Sequence, residues 1–211
     1  MIGSFLTADL INIINDTVTH LLVMDNLNTF RRKFLAFGAT AAGLSLFSPS
    51  LFAAAKTEVM SDHRQRQLNI HAVNLNEQIT TTYFDTRGYI RSELSKLNYL
   101  LRDRRSQEVA AINPKVLDQL YILQKFFGFE RRIMMVCGYR SALTNASMRK
   151  KSRGVAKKSL HMTGDAIDFY IEGVDLTLVR EAALSLKLGG VGYYPSSNFI
   201  HVDTGPIRAW S

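Results

Sequence analysis

Three basic residues, Arg31-Arg32-Lys33, precede Phe34-Leu35, an apolar run rich in Ala and Gly, and an exit through Ser-Pro-Ser-Leu-Phe-Ala-Ala-Ala. This feature decides how much of the chain is left to fold. A charged start, an apolar middle and a small-residue end form a secretory signal pattern, expected to be removed rather than packed into a core. The arginine pair followed by Phe34-Leu35 looks like a twin-arginine export signal. The competing reading is an uncleaved anchor, because Phe34 to Ala55 is long enough to span a bilayer. Gly38, Gly43, Ser45, Ser48 and Pro49 within it favour export with cleavage. Residues 1–23 contain no Lys or Arg, and a start at Met24 would bring the arginine pair close to the N-terminus. The expected organisation is therefore an extension and signal over 1–55 (with 1–23 as a mis-called start), a linker over 56–66 and one domain over 67–211.

Removing 1–55 takes away three basic and three acidic residues, so the remainder keeps the net charge of +8. A basic surface suits an anionic partner: nucleic acid, membrane headgroups or an acidic polymer such as cell wall. The chain has one cysteine, Cys137, which excludes an internal disulfide and any cysteine-built zinc finger. Cys137 lies in the apolar run starting at Ile133 and reads as a buried, inert thiol with no histidine near it in sequence.

Leu68–Asn74 and Gln78–Phe84, separated by turn residues, predict a hairpin. Ile90, Leu94, Leu97 and Leu101 recur at helical spacing, and Arg102, Arg104 and Arg105 are expected to close that helix against its dipole. Asn113-Pro114 predicts a capped helix through Phe127, stopped near Gly128. Ile133–Tyr139 reads as a buried strand and 140–160 as an irregular basic excursion. Strands are expected at 166–171, 191–194 and 198–203, and a helix at 176–188. Strands and helices mix without regular alternation, so the expected class is α+β, with a small mainly antiparallel sheet and helices packed on one side.

Of five histidines, His161 and His201 sit among Gly and Asp near predicted strand ends. Catalytic zinc takes three imidazole or carboxylate ligands and leaves a fourth position for water. Ala166 and Asp168 share one strand face, as do His201 and Asp203, because side chains alternate. By residue type alone, a His-Asp-His metal site and ordinary core or surface histidines both remain open.

Ser159-x-His161-x-x-Gly164-x-Ala166-x-Asp168, an apolar-His pair at Ile200-His201 and Gly138-Tyr139-Arg140-Ser141 resemble the zinc D-Ala-D-Ala carboxypeptidase and lysostaphin-like (LAS) metallopeptidase superfamily. Phe84–Tyr89, Ser152–Ser159 and Gly189–Pro195 narrow the resemblance to its murein endopeptidase K group, over essentially all of 56–211. The resemblance implies an LAS/hedgehog-like fold and one zinc ion held by His161, Asp168 and His201. It implies hydrolysis of peptide cross-links in bacterial peptidoglycan, with a D-Ala-D-Ala-type carboxypeptidase or a non-catalytic wall-binding module as alternatives. Arg140 matches the arginine that holds or polarises the substrate carbonyl, a task suited to an always-charged planar donor. Ser141 either orients substrate or caps the following turn, and Tyr193 (with Tyr194 and Trp210) either lines the cleft or packs.

Many relatives carry Asp, Glu or His two or three residues before the last ligand as general base; here those positions hold Phe199 and Asn198. Asp203 is the nearest carboxylate in sequence, either as the base or as support for His201. Asp165 is a third candidate but is expected to face away from Asp168, and Glu172 reads as a turn residue. The basic stretch Arg149–Lys158 fits docking to anionic peptidoglycan stems, or a solvated loop, better than nucleic acid. The expected location is periplasmic, with the twin-arginine machinery as an export partner and membrane contact only through an uncleaved signal.

Overall fold

The computed structural model describes residues 65–152 and 154–211. The expectations for the signal, the start codon and most of the linker lie outside the described residues. None of the described helices is long and apolar enough to cross a membrane.

β1 (Gln65–Ala72) and β2 (Glu77–Asp85) form the expected antiparallel hairpin, with β1 starting before residue 67. The two-residue β3 (Gly88–Tyr89) returns along β2. α1 (Arg91–Leu100) and α2 (Pro114–Phe127) follow. The Asn113 side chain accepts from the Lys115 amide, and Gly128 ends α2 at φ 114°. Then come β4 (Ile133–Cys137), α3 (Ala142–Lys151), a 3-10 turn (Leu160–Thr163), β5 (Ala166–Ile171) and α4 (Leu176–Leu186). β6 (Gly190–Tyr194), β7 (Phe199–Asp203) and β8 (Arg208–Trp210) complete the fold.

The class is α+β, as expected, but the sheet is mixed rather than simply antiparallel. Its eight strands run β3-β2-β1-β4-β5-β7-β6-β8. β1 pairs parallel with β4, and β6 parallel with β8. The parallel pairings join strands far apart in the chain, which period-2 patterns within single strands do not encode. β8, with three residues, was too short to carry a pattern. Between β1 and β4 the buried Gln124 of α2 bonds both the amide and the carbonyl of Asn69, at 3.0 and 2.8 Å, and the Arg131 carbonyl at 2.8 Å. A helix side chain thus satisfies strand backbone where β1 and β4 do not pair, so no buried polar group is stranded.

Three helices share one face of the sheet. Thr81 of β2 bonds Glu93 of α1, and Tyr83, two residues on and hence on the same face, bonds Asp118 of α2. α4 packs on α2 and on β5, β6 and β7. Beneath them lie Leu68, Ile70, Ile133, Ile167, Phe169, Ile171 and Ile200, all fully buried.

Two local expectations need correction. Of the three arginines expected to close α1, Arg102 does so from just beyond it, its Nη1 donating to the Tyr99 carbonyl of the last turn at 2.8 Å, and Arg104 and Arg105 do not. The helix ends at Leu100 with no basic residue in its last turn, and Arg102 turns back to form a fork on Glu77 at 2.7 and 2.9 Å. One guanidinium thus serves both the helix end and the start of β2. The excursion after Arg140 contains a helix, α3. Its apolar periodicity is weak, so the pattern does not announce it; Ser141 starts it by accepting the Thr144 amide. Three basic residues, Arg149, Lys150 and Lys151, close its last turn, where the dipole favours them.

Candidate metal centre

The face away from the three helices carries the site. One row of paired residues crosses it: Cys137 of β4, Asp168 of β5, His201 of β7, Gly192 of β6 and Trp210 of β8. Paired residues in adjacent strands point to the same face. The third expected ligand comes from outside the sheet. The 3-10 turn places His161 over Asp168, with Ser159 capping its start. Gly164 ends that turn at φ 74°, and a side chain there would strike the Ala111 carbonyl at 2.1 Å. Only glycine meets both demands.

Three atoms converge. His161 Nε2 lies 3.1 Å from Asp168 Oδ1 and 3.2 Å from His201 Nδ1, and His201 Nδ1 lies 2.8 Å from Asp168 Oδ1. The other ring nitrogens are committed. His161 Nδ1 donates to the Gly138 carbonyl at 2.8 Å, and His201 Nε2 to Asp203 Oδ2 at 3.0 Å. In neutral rings the two inward nitrogens are then lone pairs facing a carboxylate oxygen. Three acceptors meeting in a buried place repel unless a cation joins them. This donor set fits a divalent metal: two imidazoles and a carboxylate, each imidazole oriented by a partner behind it.

The charges agree. Burial raises the Asp168 pKa, but His161 and His201 outweigh burial and hold the carboxyl well below its usual range. Burial lowers the His161 pKa, whereas Asp168 and Cys137 raise it, and the net shift is well upward. The pocket therefore demands positive charge, from a proton or from a metal.

Cys137 is not the isolated thiol expected. Its sulfur belongs to a group with His161 and Asp168 in which one ligand atom from each lies within 4.8 Å of the others. Arg140 Nη2 donates to it at 3.4 Å. Sequence distance hid this neighbourhood; only strand pairing across β4 and β5 makes it.

Arg140 is buried at the rim. Its Nη2 lies 3.8 Å from Asp168 Oδ2, its Nη1 donates to Asn145 at 3.4 Å, and its Nε has no partner. Ser141, only 1% exposed, caps α3, and its amide donates to Asp103 at 2.8 Å. Of its two expected roles the structure shows the cap.

Tyr193 corrects an expectation. It pairs with Ile200 on the helix-bearing face, where its hydroxyl lies 3.2 Å from Thr177 of α4 and Arg180 covers its ring. Strand alternation instead puts Tyr194 and Phe199 on the His201 side. Those two rings stack at 4.6 Å, Trp210 donates to the Tyr194 hydroxyl at 2.8 Å, and Trp210 lies 5.2 Å from the His201 ring. In the sequence Phe199 marks only a position where many relatives carry a base.

Asp203 is fully buried. Besides His201, it accepts the Gly190 and Gly205 amides at 2.9 and 2.8 Å and the Arg208 guanidinium at 2.6 and 3.1 Å. Burial pushes its pKa up, yet His201, Arg208 and the two amides hold it well below the ordinary range. Asp165 bonds Asn113 and Thr204. Glu172 forks onto Arg132 at 2.7 and 2.9 Å, a surface ion pair remote from the centre.

A cleft of about 190 Å³ opens on the centre; its only carboxylates among the described residues are Asp168 and Asp103.

Residues 60–210 match the family model described as peptidoglycan L,D-endopeptidase MepK. The chain is 46% identical to the peptidoglycan L,D-endopeptidase MepK of Escherichia coli strain K12 over 187 residues, 89% of this chain and all of that protein. The Shigella flexneri MepK gives the same figures. A probable peptidoglycan L,D-endopeptidase MepK from Haemophilus influenzae is 43% identical over 188 residues, 89% of this chain and 98% of that protein. A family model and relatives covering most of both chains place this protein in the peptidoglycan L,D-endopeptidase MepK family.

Proposed function

We propose that the protein is an exported zinc metallopeptidase that hydrolyses peptide cross-links of bacterial peptidoglycan. The observation that carries the reading is the convergence of His161 Nε2, His201 Nδ1 and Asp168 Oδ1 within 3.2 Å of one another, with both outward ring nitrogens occupied. The activity named for the relatives, peptidoglycan L,D-endopeptidase, supports the substrate class. His161, Asp168 and His201 would hold the zinc ion. When bound there, zinc supplies a Lewis acid and a water acidic enough to act near neutral pH.

The chain's own residues bind, orient and exclude water. Arg140 presents a buried guanidinium with an unpartnered Nε beside the centre, suited to the scissile carbonyl and to the negative charge that develops on its oxygen. Tyr194, Phe199 and Trp210 form an apolar wall beside His201 that keeps bulk water off one side. Asp203 is assigned the orienting role of the two expected for it. It holds the Nε2 proton of His201 and so keeps Nδ1 as the inward lone pair, and its five donors leave it no capacity as a base. Export by the twin-arginine route to the periplasm, where peptidoglycan stems lie, remains part of the reading through Arg31-Arg32.

The commitment of both cleft carboxylates favours one second reading, a wall-binding module that holds metal without cleaving. Metal analysis of the purified full-length protein, followed by digestion of isolated cross-linked muropeptides with and without chelator, separates the two. One zinc per chain and chelator-sensitive conversion of dimers to monomers are expected. Bound zinc with intact dimers would move the assignment to the binding module or to a carboxypeptidase. A chain that retains no divalent metal would overturn both.

A further inference from the structure

We propose that Arg104 and Arg105 form a carboxylate-binding subsite in the wall of the cleft, which takes a free carboxylate of the peptide stem beside the bond being cut. The inference rests on the peptidase reading above and adds a specificity element contributed by the loop between α1 and α2.

The loop is fixed to the site by its backbone. Gly138 lies so close to Leu101 that a side chain would strike the Leu101 carbonyl at 2.4 Å, and the Tyr139 amide donates to that same carbonyl at 2.7 Å. On one side of the arginine pair, Arg102 is locked on Glu77 and Gln107. Asp103, 2% exposed, accepts the Ser141 amide through one oxygen and the Arg105 and Ser106 amides through the other. On the other side, the Asp103 amide donates to the Glu108 carbonyl and the Gln107 amide to the Asp103 carbonyl. The backbone that carries Arg104 and Arg105 is thus held to the Tyr139–Ser141 segment that also carries Arg140.

Their side chains are spent on nothing. Both are exposed and line the same cleft as Arg140 and Asp168, and among the described residues neither guanidinium has a hydrogen bond or an ion pair. Of the two carboxylates of the cleft, Asp103 is bound by amides and Asp168 converges with the histidines on the metal centre. Two forked donors of fixed charge on a rigid turn therefore face a cleft with no anion left to satisfy them. Guanidinium matches a planar carboxylate with two parallel hydrogen bonds. A pre-fixed backbone lowers the ordering cost of making them. A peptide stem carrying free carboxylates is the complementary ligand.

The test compares full-length protein with the Arg104→Ala/Arg105→Ala variant on two probes. One is isolated cross-linked muropeptide dimers; the other is the same dimers with their carboxylates amidated. Charge-assisted hydrogen bonds of this kind change affinity by roughly 10- to 100-fold. On native dimers the variant should raise KM by about that factor with kcat changed less than threefold. On amidated dimers, parent and variant should have the same KM. Arg104→Lys/Arg105→Lys should recover part of the loss, since charge returns without the fork. An unchanged KM in the alanine variant, or an equal penalty on both probes, overturns the subsite. Binding of uncleaved native and amidated dimers to the metal-free protein, read by NMR shift changes, keeps the inference separate from the activity. Such a carboxylate- and arginine-dependent affinity, together with intact dimers after incubation with the zinc-loaded protein, would sustain the subsite and reject the peptidase reading.

Discussion

Asp118 and Asp168 are equally buried, each 6% exposed, yet their surroundings are opposites. Asp118, on α2, accepts from the hydroxyls of Tyr83 and Tyr89 at 2.8 and 2.7 Å and pairs with Arg66 at 2.7 Å. Every partner is a donor, and the cation cancels the charge. Burial, then Asp118, push the Tyr89 hydroxyl up to about 12, so it remains a donor at any physiological pH. Asp168 meets two imidazole nitrogens whose rings donate elsewhere, and the nearest guanidinium, at 3.8 Å, is too far for a hydrogen bond. One cluster is complete as the chain folds; the other is an assembly of acceptors that a cation completes. Burial of charge does not distinguish a structural cluster from a ligand site. The count of donors against acceptors does.

The largest effect that could break this contrast belongs to Asp168. Asp168→Ala should abolish metal retention and lower turnover by roughly a thousandfold or more. The metal-free variant should melt only slightly below the metal-free parent, because there Asp168 loses one shared proton rather than three committed donors. A metal-free melting point lowered as far as that of the next variant would show that the two clusters are alike. That variant, Asp118→Ala, strands Arg66 in the core and should cost about 3–5 kcal/mol, read by denaturant unfolding, while metal stoichiometry stays at the parent value.

Asp203→Asn sharpens the site side of the comparison. It keeps the shape but removes the charge that holds the His201 Nε2 proton, so metal affinity should fall about 10- to 100-fold by competition with a chromophoric chelator. A pH effect tests the loop. Burial raises the Asp103 pKa, but hydrogen bonds from Thr144, Ser141 and Arg105 outweigh it and hold the group at about 2. A carboxyl depressed in the folded state contributes stability that is fully present above its unfolded value near 4 and is lost as pH falls through about 2. Between those limits the parent should lose more stability than Asp103→Asn, as followed by thermal unfolding. The smallest effect is Ser141→Ala, which removes the α3 cap and should cost about 1 kcal/mol with little change in KM. A large KM change would return Ser141 to the substrate.

Much of the fold was legible because its signals are local. The β1–β2 hairpin, the Asn113-Pro114 start of α2 and the buried strands β4 and β5 each follow from residues within a few positions. α3 and β8 were not legible, since one lacks a strong apolar stripe and the other has three residues. For the site, resemblance named His161, Asp168 and His201 as one ligand set, while residue type and spacing alone left a His-Asp-His metal site and ordinary histidines both open.

By itself the sequence determined which residue types are available: two imidazoles and a carboxylate near strand ends, one thiol, a guanidinium after Gly138-Tyr139 and an excess of positive charge. It also settled that Asp203 shares a strand face with His201, because alternation is a property of a single strand. The tertiary structure decided everything that depends on which strands are neighbours. Pairing of β4 with β5, and of β5 with β7, brought Cys137, Asp168 and His201 into one row, and pairing of β6 with β7 turned Tyr193 away and Tyr194 inward. It also decided that Asp203 is saturated, since Arg208 and the Gly190 amide reach it from separate strands. The reason is physical: a side chain's direction is fixed by its own backbone, but its protonation, ligation and access to substrate are fixed by atoms that only folding brings within reach.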